Sequence, residues 1–126
     1  MTFKTYLNEG PTGPIPKENQ NGDCYILAYK YMTSHPNKNL KLVHGLVTGQ
    51  GALENIVYNH AWVEDGNKII DLTLPKPLQK SLSVNQYYKI GKIKTVYKYS
   101  YNEVIDKSLE FQTYGPWEKK LLRNKY

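Results

Sequence analysis

The chain has 126 residues and 40% hydrophobic content, enough for one domain with a buried core, here expected over residues 1–126. A single cysteine excludes an internal disulfide framework and a zinc site built on Cys-x-x-Cys pairs. No apolar run has the length of a membrane span, and the N-terminal residues lack the apolar stretch of a signal peptide. With a free thiol, which suits a reducing compartment, these features predict a cytoplasmic protein with no membrane association.

The net charge of +6 makes nucleic-acid binding an alternative, and the 12 tyrosines offer rings on which bases stack. However, the lysines are scattered apart from the basic C-terminal segment 117–126, and Arg123 is the only arginine. A protein or peptide partner is therefore favoured over nucleic acid. The composition, rich in lysine, asparagine and tyrosine, is typical of AT-rich genomes such as those of phages and low-GC bacteria. A phage-encoded protein would act in the host cytoplasm.

Residues 8–22 are rich in proline and glycine, and residues 1–22 as a whole predict a long leading loop. Asp23 is a typical N-cap, so we expect a helix to begin there with Cys24 in its first turn. The Ser34-His35-Pro36-Asn37 segment is predicted to end this helix, because proline cannot continue it.

Residues 40–48 predict a strand, and residues 55–64 and 67–73 predict a hairpin with Asp65-Gly66 as a two-residue turn. That register places His60 directly opposite Asp71, with Cβ atoms about 4.5–5.5 Å apart. A three-residue loop would instead move Asp71 to the other face of the sheet.

Residues 84–99 alternate in character and predict one more strand or a bent pair, with a bulge or turn at Gly91. The capping box Ser100-Tyr101-Asn102-Glu103 predicts a helix that runs to about Gln112. The tail predicts an amphipathic helix whose apolar face packs on the body through Trp117, Leu121 and Leu122. The order helix, strands, helix predicts an α+β domain with an antiparallel sheet and a C-terminal helix.

A thiol at a helix start, followed by a histidine and a carboxylate on paired strands, provides the groups that thiol nucleophiles need. A helix N-terminus and a nearby imidazolium both stabilise a thiolate. We interpret Cys24 as the nucleophile, His60 as the general base and Asp71 as the group that orients His60.

The backbone N–H of a first-turn residue is a candidate oxyanion donor, which here is that of Cys24. Gln20 is the first candidate for a second, side-chain donor, followed by Asn21 and then Asn19. Trp62 is a candidate wall of the acyl pocket, although a place in the core is favoured for it.

Each of these residues also has a purely structural reading. A lone cysteine is more often a small buried hydrophobe, and Cys24 shares its helix face with apolar residues. His60 could be a structural histidine and Asp71 a turn carboxylate. His35 and His44 are rival histidines, with His35 expected to be exposed in its turn and His44 on the strand beside the hairpin.

Four segments together resemble the transglutaminase-like core of the papain-like thiol enzyme superfamily, in the family's order and over residues 20–75. They are Gly22-Asp23-Cys24-Tyr25-Ile26-Leu27-Ala28, Leu42-Val43-His44-Gly45, His60-Ala61-Trp62-Val63-Glu64 and Asp71-Leu72-Thr73. The resemblance implies a small papain-like fold, with the Cys24 helix packed on the sheet, and the same roles for Cys24, His60 and Asp71. It implies no particular substrate, because similar cores serve as peptidases, amidases, deamidases, peptide N-glycanases and crosslinkers, and some are inactive.

The sequence thus predicts a cysteine-dependent acyl-transfer enzyme that acts on protein or peptide amides. Water is the default acceptor, which favours a hydrolase over a transglutaminase, and no metal or organic cofactor is expected. The alternatives are a catalytically silent protein-binding module or inhibitor on the same fold and, less favoured, a basic nucleic-acid-binding protein.

Overall fold

The computed structural model describes residues 23–36, 39–49 and 54–123. The leading loop predicted for residues 1–22 lies outside this part of the chain. The described residues form helices, strands and a short 3₁₀ turn at Lys76–Leu78. The helices are α1 (Asp23–Ser34), α2 (Val84–Gly91), α3 (Tyr101–Phe111) and the single-turn α4 (Lys119–Leu122). The strands are β1 (Leu40–Thr48), β2 (Val57–Asp65), β3 (Lys68–Ile70) and β4 (Val96–Tyr99).

The strands form one antiparallel sheet in the order β3-β2-β1-β4. Successive side chains of a strand point to opposite faces, so β1 and β2 contribute to two separate apolar clusters. The first contains Cys24, Tyr25, Ala28 and Met32 of α1, together with sheet residues such as Leu42 and Val63. The second contains Val43, Val47, Trp62 and Ile69 of the sheet, together with Leu74, Tyr87 and Ile93. The predicted α+β class with an antiparallel sheet is confirmed.

None of the helices in the described residues has the length and apolar character that crossing a bilayer demands. The strand predicted over residues 40–48 and the helix predicted from the Ser100 capping box are both present, as β1 and α3. In α3 the Ser100 side chain accepts from the Glu103 backbone, and the Glu103 side chain accepts from the Ser100 backbone.

The strand predicted for the first part of residues 84–99 is wrong, because Val84–Gly91 is the helix α2. Its start is fixed by a second capping box, in which Ser83 and Gln86 each accept a hydrogen bond from the backbone N–H of the other. The segment contains Tyr87 and Tyr88, whose strand preference is overridden by this cap and by burial at helical spacing. Only Val96–Tyr99 is extended.

The predicted hairpin register is also wrong. The pairs are Val63↔Ile70, Glu64↔Ile69 and Asp65↔Lys68, so the loop is Gly66-Asn67. Gly66 has φ +59° and stands first in the loop, which is the pattern of a type II′ turn. The Asp65-Gly66 prediction assumed a type I′ turn, with glycine second.

The difference amounts to two residues in the pairing, so each side chain stays on the face that was predicted for it. Strand β3 ends at Ile70, and Asp71 therefore follows the strand and is not the cross-strand partner of His60. The two side chains nevertheless meet, because Asp71 and His60 point to the same side of the sheet.

The C-terminal segment is attached to α1 and β2 through the Asn59 side chain. Asn59 accepts a hydrogen bond from the Tyr25 hydroxyl at 2.7 Å and donates one to the Leu121 carbonyl at 2.8 Å. Trp117 and Leu121 are buried as predicted, but Leu122 is 43% exposed and does not face the body. A single helical turn cannot direct both of two successive residues inward.

His44 lies on β1 inside an aromatic cage formed by α1, β4 and the C-terminal segment. Its ring centroid is 4.7 Å from Tyr25, 4.8 Å from Trp117 and 5.2 Å from Tyr99. Neither ring nitrogen has a hydrogen-bond partner among the described residues. Burial lowers the pKa of His44 to about 3, so this rival histidine is a neutral core residue.

Gly66→Ala should lower the free energy of unfolding by about 1–2 kcal/mol, since the residue must adopt φ +59° with a Cβ atom. A Cβ atom there would meet nothing within 4 Å, so the effect comes from the backbone alone. Gly66→Asn is the matched control and should cost less, because asparagine tolerates this conformation. Urea unfolding measures both, and equal costs would contradict the assigned turn.

The pH dependence of stability should report His44. Its pKa is lowered on folding, so the unfolded chain binds a proton below about pH 6.5 that the folded protein does not. Between pH 6 and pH 5 the free energy of unfolding should fall with acidification, by an amount approaching ~1.4 kcal/mol per pH unit.

His44→Phe keeps an aromatic ring in the cage and should abolish this part of the pH dependence. Urea unfolding at pH 7, 6 and 5 makes the comparison. The stabilisation that Asp71 contributes is lost only as the pH approaches its unfolded pKa of about 3.9. It therefore does not affect the comparison between pH 7 and pH 5. Parallel curves for the two proteins would contradict a neutral, buried His44.

Candidate active site

Cys24 lies in the first turn of α1 as described, where the helix begins at Asp23. The residue is 7% exposed, and its side chain faces the sheet in the first apolar cluster. The thiol lies close enough to the ring of His60 to raise the pKa of this histidine. The start of α1 therefore brings the one sulfur nucleophile of the chain against the histidine of β2.

His60 lies in the part of β2 that precedes the residues paired with β3. Its Nε2 donates to Oδ2 of Asp71 at 2.9 Å, and both side chains are buried. Since Nε2 is engaged in this way, Nδ1 is the ring nitrogen that remains for Cys24. The imidazole thus joins a thiol on one side to a carboxylate on the other.

Asp71 is held by hydrogen bonds on both carboxylate oxygens. Oδ1 accepts from the backbone N–H of Thr73 at 3.0 Å and from the Thr73 hydroxyl at 2.6 Å. Oδ2 accepts from His60 and also from the Tyr87 hydroxyl at 2.5 Å. The backbone N–H of Asp71 donates to the Gln79 carbonyl at 2.9 Å, so the main chain is anchored as well.

The charges in this site oppose the effect of burial. Burial alone would lower the pKa of His60, but the charge of Asp71, that of Cys24 and hydrogen bonds to both raise it above its ordinary value. Burial would raise the pKa of Asp71, yet His60 and the hydrogen bonds from Thr73 and Tyr87 lower it. The geometry therefore favours a carboxylate beside an imidazolium.

A narrow crevice runs alongside the thiol. It does not admit a sphere the size of a water molecule. Its walls are mostly apolar and come from α1, β2 and the residues after β3. They include Cys24, Leu27, Ala28, Tyr31, Ala61, Trp62, Asp71, Leu72 and Thr73.

Trp62 contributes to this crevice but belongs mainly to the core. It is 1% exposed and packs in the second apolar cluster. Its indole N–H donates to Glu64 at 3.0 Å, and Glu64 also accepts from the Tyr88 hydroxyl at 2.6 Å. The other Glu64 oxygen pairs with Lys98 at 3.0 Å. Glu64 thereby holds the Trp62 ring in the core, away from solvent.

The oxyanion candidates Gln20, Asn21 and Asn19 lie outside the described residues. The backbone N–H of Cys24, the other predicted donor, belongs to the first turn of α1. The rival His35 is exposed, as predicted, with Nδ1 2.9 Å from the Tyr31 carbonyl and its ring stacked on Tyr31.

Sequence reasoning missed Tyr87 and the contacts of Thr73. The Tyr87 contact joins residues 16 apart through a helix that was predicted as a strand, although the Ser83-x-x-Gln86 capping box was a usable signal for that helix. The Thr73 contact has a local signal. An Asp side chain commonly accepts a hydrogen bond from the backbone N–H two residues later, which here belongs to Thr73.

Among the described residues, no group of three or more His, Cys, Asp and Glu side chains is arranged to hold a metal ion. Comparisons of the chain with protein-family models, with curated proteins and with solved structures find no match.

Proposed function

We propose that the chain is a cysteine-dependent acyl-transfer enzyme that acts on protein or peptide amides, with a transglutaminase-like core on a papain-like fold. The observation that carries the proposal is the series of three buried side chains in which Cys24 lies beside His60 and His60 is hydrogen-bonded to Asp71. An unrelated structural cysteine has no need of a buried imidazole that is itself held by a buried carboxylate.

In the acylation step, the Cys24 sulfur, as the thiolate whose proton Nδ1 of His60 holds, attacks the carbonyl carbon of the amide. The oxyanion that forms would be bound by the Cys24 N–H and a side-chain amide, for which Gln20 and Asn21 are the candidates. When the C–N bond breaks, the departing nitrogen takes the proton back from His60. A thioester of Cys24 and a free amine result.

In the deacylation step, His60 removes a proton from the acceptor, which attacks the thioester carbonyl. The sulfur leaves as thiolate and His60 keeps the proton, which restores the resting pair. Water as acceptor gives hydrolysis or deamidation, and an amine gives a crosslink. Asp71 keeps Nδ1 turned toward the sulfur throughout and stabilises the imidazolium that forms in both steps.

A second candidate is a catalytically silent binding protein on the same fold. The observation in its favour is the burial of Cys24, at 7% exposure beside a crevice too narrow for water. Turnover requires this crevice to open to a substrate acyl group, whereas binding through another surface does not. Reactivity of the thiol separates the two candidates.

Alkylation by iodoacetamide at pH 6 tests the proposal, with intact mass as the readout. Because Cys24 is the only cysteine, the same chain unfolded in urea is an internal reference for an ordinary thiol. We expect the folded protein to react at least about ten-fold faster than this reference, since a thiolate is the reactive form. His60→Ala should remove the advantage, and Cys24→Ala should remove the reaction.

A second experiment tests for substrates: the intact mass of the protein is measured after incubation with peptide amides and reactive esters. A covalent acyl adduct on wild-type protein that is absent from Cys24→Ala would support acyl transfer and report the acyl class. A folded protein that reacts more slowly than its unfolded form, and takes no acyl group, would contradict the enzyme proposal and leave the silent binding protein.

A further inference from the structure

Tyr87 reaches the site from the face of the sheet opposite α1. It is carried by α2, whose start is fixed by the Ser83–Gln86 capping box. The side chain is completely buried, and its ring packs 5.1 Å from that of Trp62. Its hydroxyl donates to Oδ2 of Asp71 at 2.5 Å, which is the oxygen that also receives Nε2 of His60.

The hydroxyl is a permanent donor in this position. Burial and the negative charge of Asp71 raise the pKa of Tyr87 well above its ordinary value, so the phenol keeps its proton. With the two hydrogen bonds from Thr73, Asp71 accepts four hydrogen bonds, which matches the number of acceptor sites of a carboxylate. No rotation of the carboxyl group can improve on this arrangement.

Sharing Oδ2 has a chemical consequence for His60. A donor on a carboxylate oxygen withdraws part of the negative charge that would otherwise act on the imidazolium. The Tyr87 hydroxyl therefore fixes the direction of the Asp71 carboxylate and also limits how strongly it stabilises protonated His60. The first effect favours orientation, and the second favours return of the proton from His60.

We propose that Tyr87 is a positioning residue of the site, whose hydroxyl orients Asp71 and moderates the basicity of His60 by sharing Oδ2. The inference rests on the proposed function for its catalytic meaning. Its physical content is a change at His60, which can be measured without turnover.

The chain offers a matched control in the next residue, Tyr88. Its ring also packs on Trp62, at 6.2 Å, and its hydroxyl also donates to a buried carboxylate, at 2.6 Å. That carboxylate belongs to Glu64 and not to Asp71. Tyr88→Phe therefore removes an equivalent hydroxyl from the same helix without touching the group that holds His60.

The decisive measurement is the NMR titration of the His60 ring in a Cys24→Ala background, which removes the contribution of Cys24 to the pKa of His60. Among the described residues, the other titratable groups near His60 include Asp71, Tyr87 and Tyr58, whose ring lies 6.3 Å away. Tyr87→Phe should raise the pKa of His60, because the whole charge of Oδ2 then acts on the ring. Tyr88→Phe should leave the titration unchanged.

Replacement of Tyr87 by 3-fluorotyrosine keeps the hydroxyl and the shape of the ring. The proposal can therefore be tested with this protein even if Tyr87→Phe does not fold. The fluorinated phenol is a stronger donor and should lower the pKa of His60. Opposite shifts for the two substitutions would support the proposal. An unchanged His60 titration in the fluorinated protein would overturn it.

Failure of the proposed function would look different. With Cys24 restored, Tyr87→Phe should slow acylation of the thiol by p-nitrophenyl acetate about ten-fold, the size expected for a hydrogen bond to a charged group. Wild-type protein that takes no acyl group would contradict acyl transfer. The His60 titration would still decide whether Tyr87 controls the ring.

Discussion

The structure depends on one buried contact, in which the Asp71 carboxylate holds the imidazole of His60. Burying a charged group costs several kcal/mol unless it is paired and hydrogen-bonded. Here the cost is offset by four hydrogen bonds and by the positive charge that His60 carries when protonated. Because the carboxylate binds Nε2, the other ring nitrogen, Nδ1, is left for the Cys24 thiol.

Two helices, one strand and the turn after β3 each contribute one part of this contact. Strand β2 carries His60, the turn after β3 carries Asp71 and Thr73, α1 presents Cys24, and α2 supplies Tyr87. The sheet separates α1 from α2, so Tyr87 reaches the carboxylate from the face opposite the helix that carries Cys24. A second buried carboxylate, Glu64, holds Trp62 in a comparable way but contacts no nucleophile in the described residues.

Much of this arrangement follows from local sequence signals. The capping box at Ser100 gives α3, proline ends α1, and the strand pattern gives β1. The convergence of Cys24, His60 and Asp71 was expected from their order and from a hairpin. It is found in spite of a wrong register, because an error of two residues leaves every side chain on its face.

The hairpin turn and the helix that carries Tyr87 could not be predicted in this way, because in each case two local sequence patterns favour different structures. Asp65-Gly66 and Gly66-Asn67 are both acceptable turns, and the choice depends on whether glycine stands first or second in the loop. Tyr87 has strand preference but lies in a capped helix. Its contact with Asp71 joins residues 16 apart in the chain and is therefore a tertiary effect.

Nitrogen-15 NMR of the His60 ring at pH 7 tests the central contact most directly, since it reports the protonation of each ring nitrogen. The account predicts that both nitrogens carry a proton, with the Nε2 proton bound to Asp71 and Nδ1 directed at the sulfur. Asp71→Asn should return the ring to its neutral form. A neutral His60 in the wild-type protein at pH 7, with Nε2 unprotonated, would contradict it.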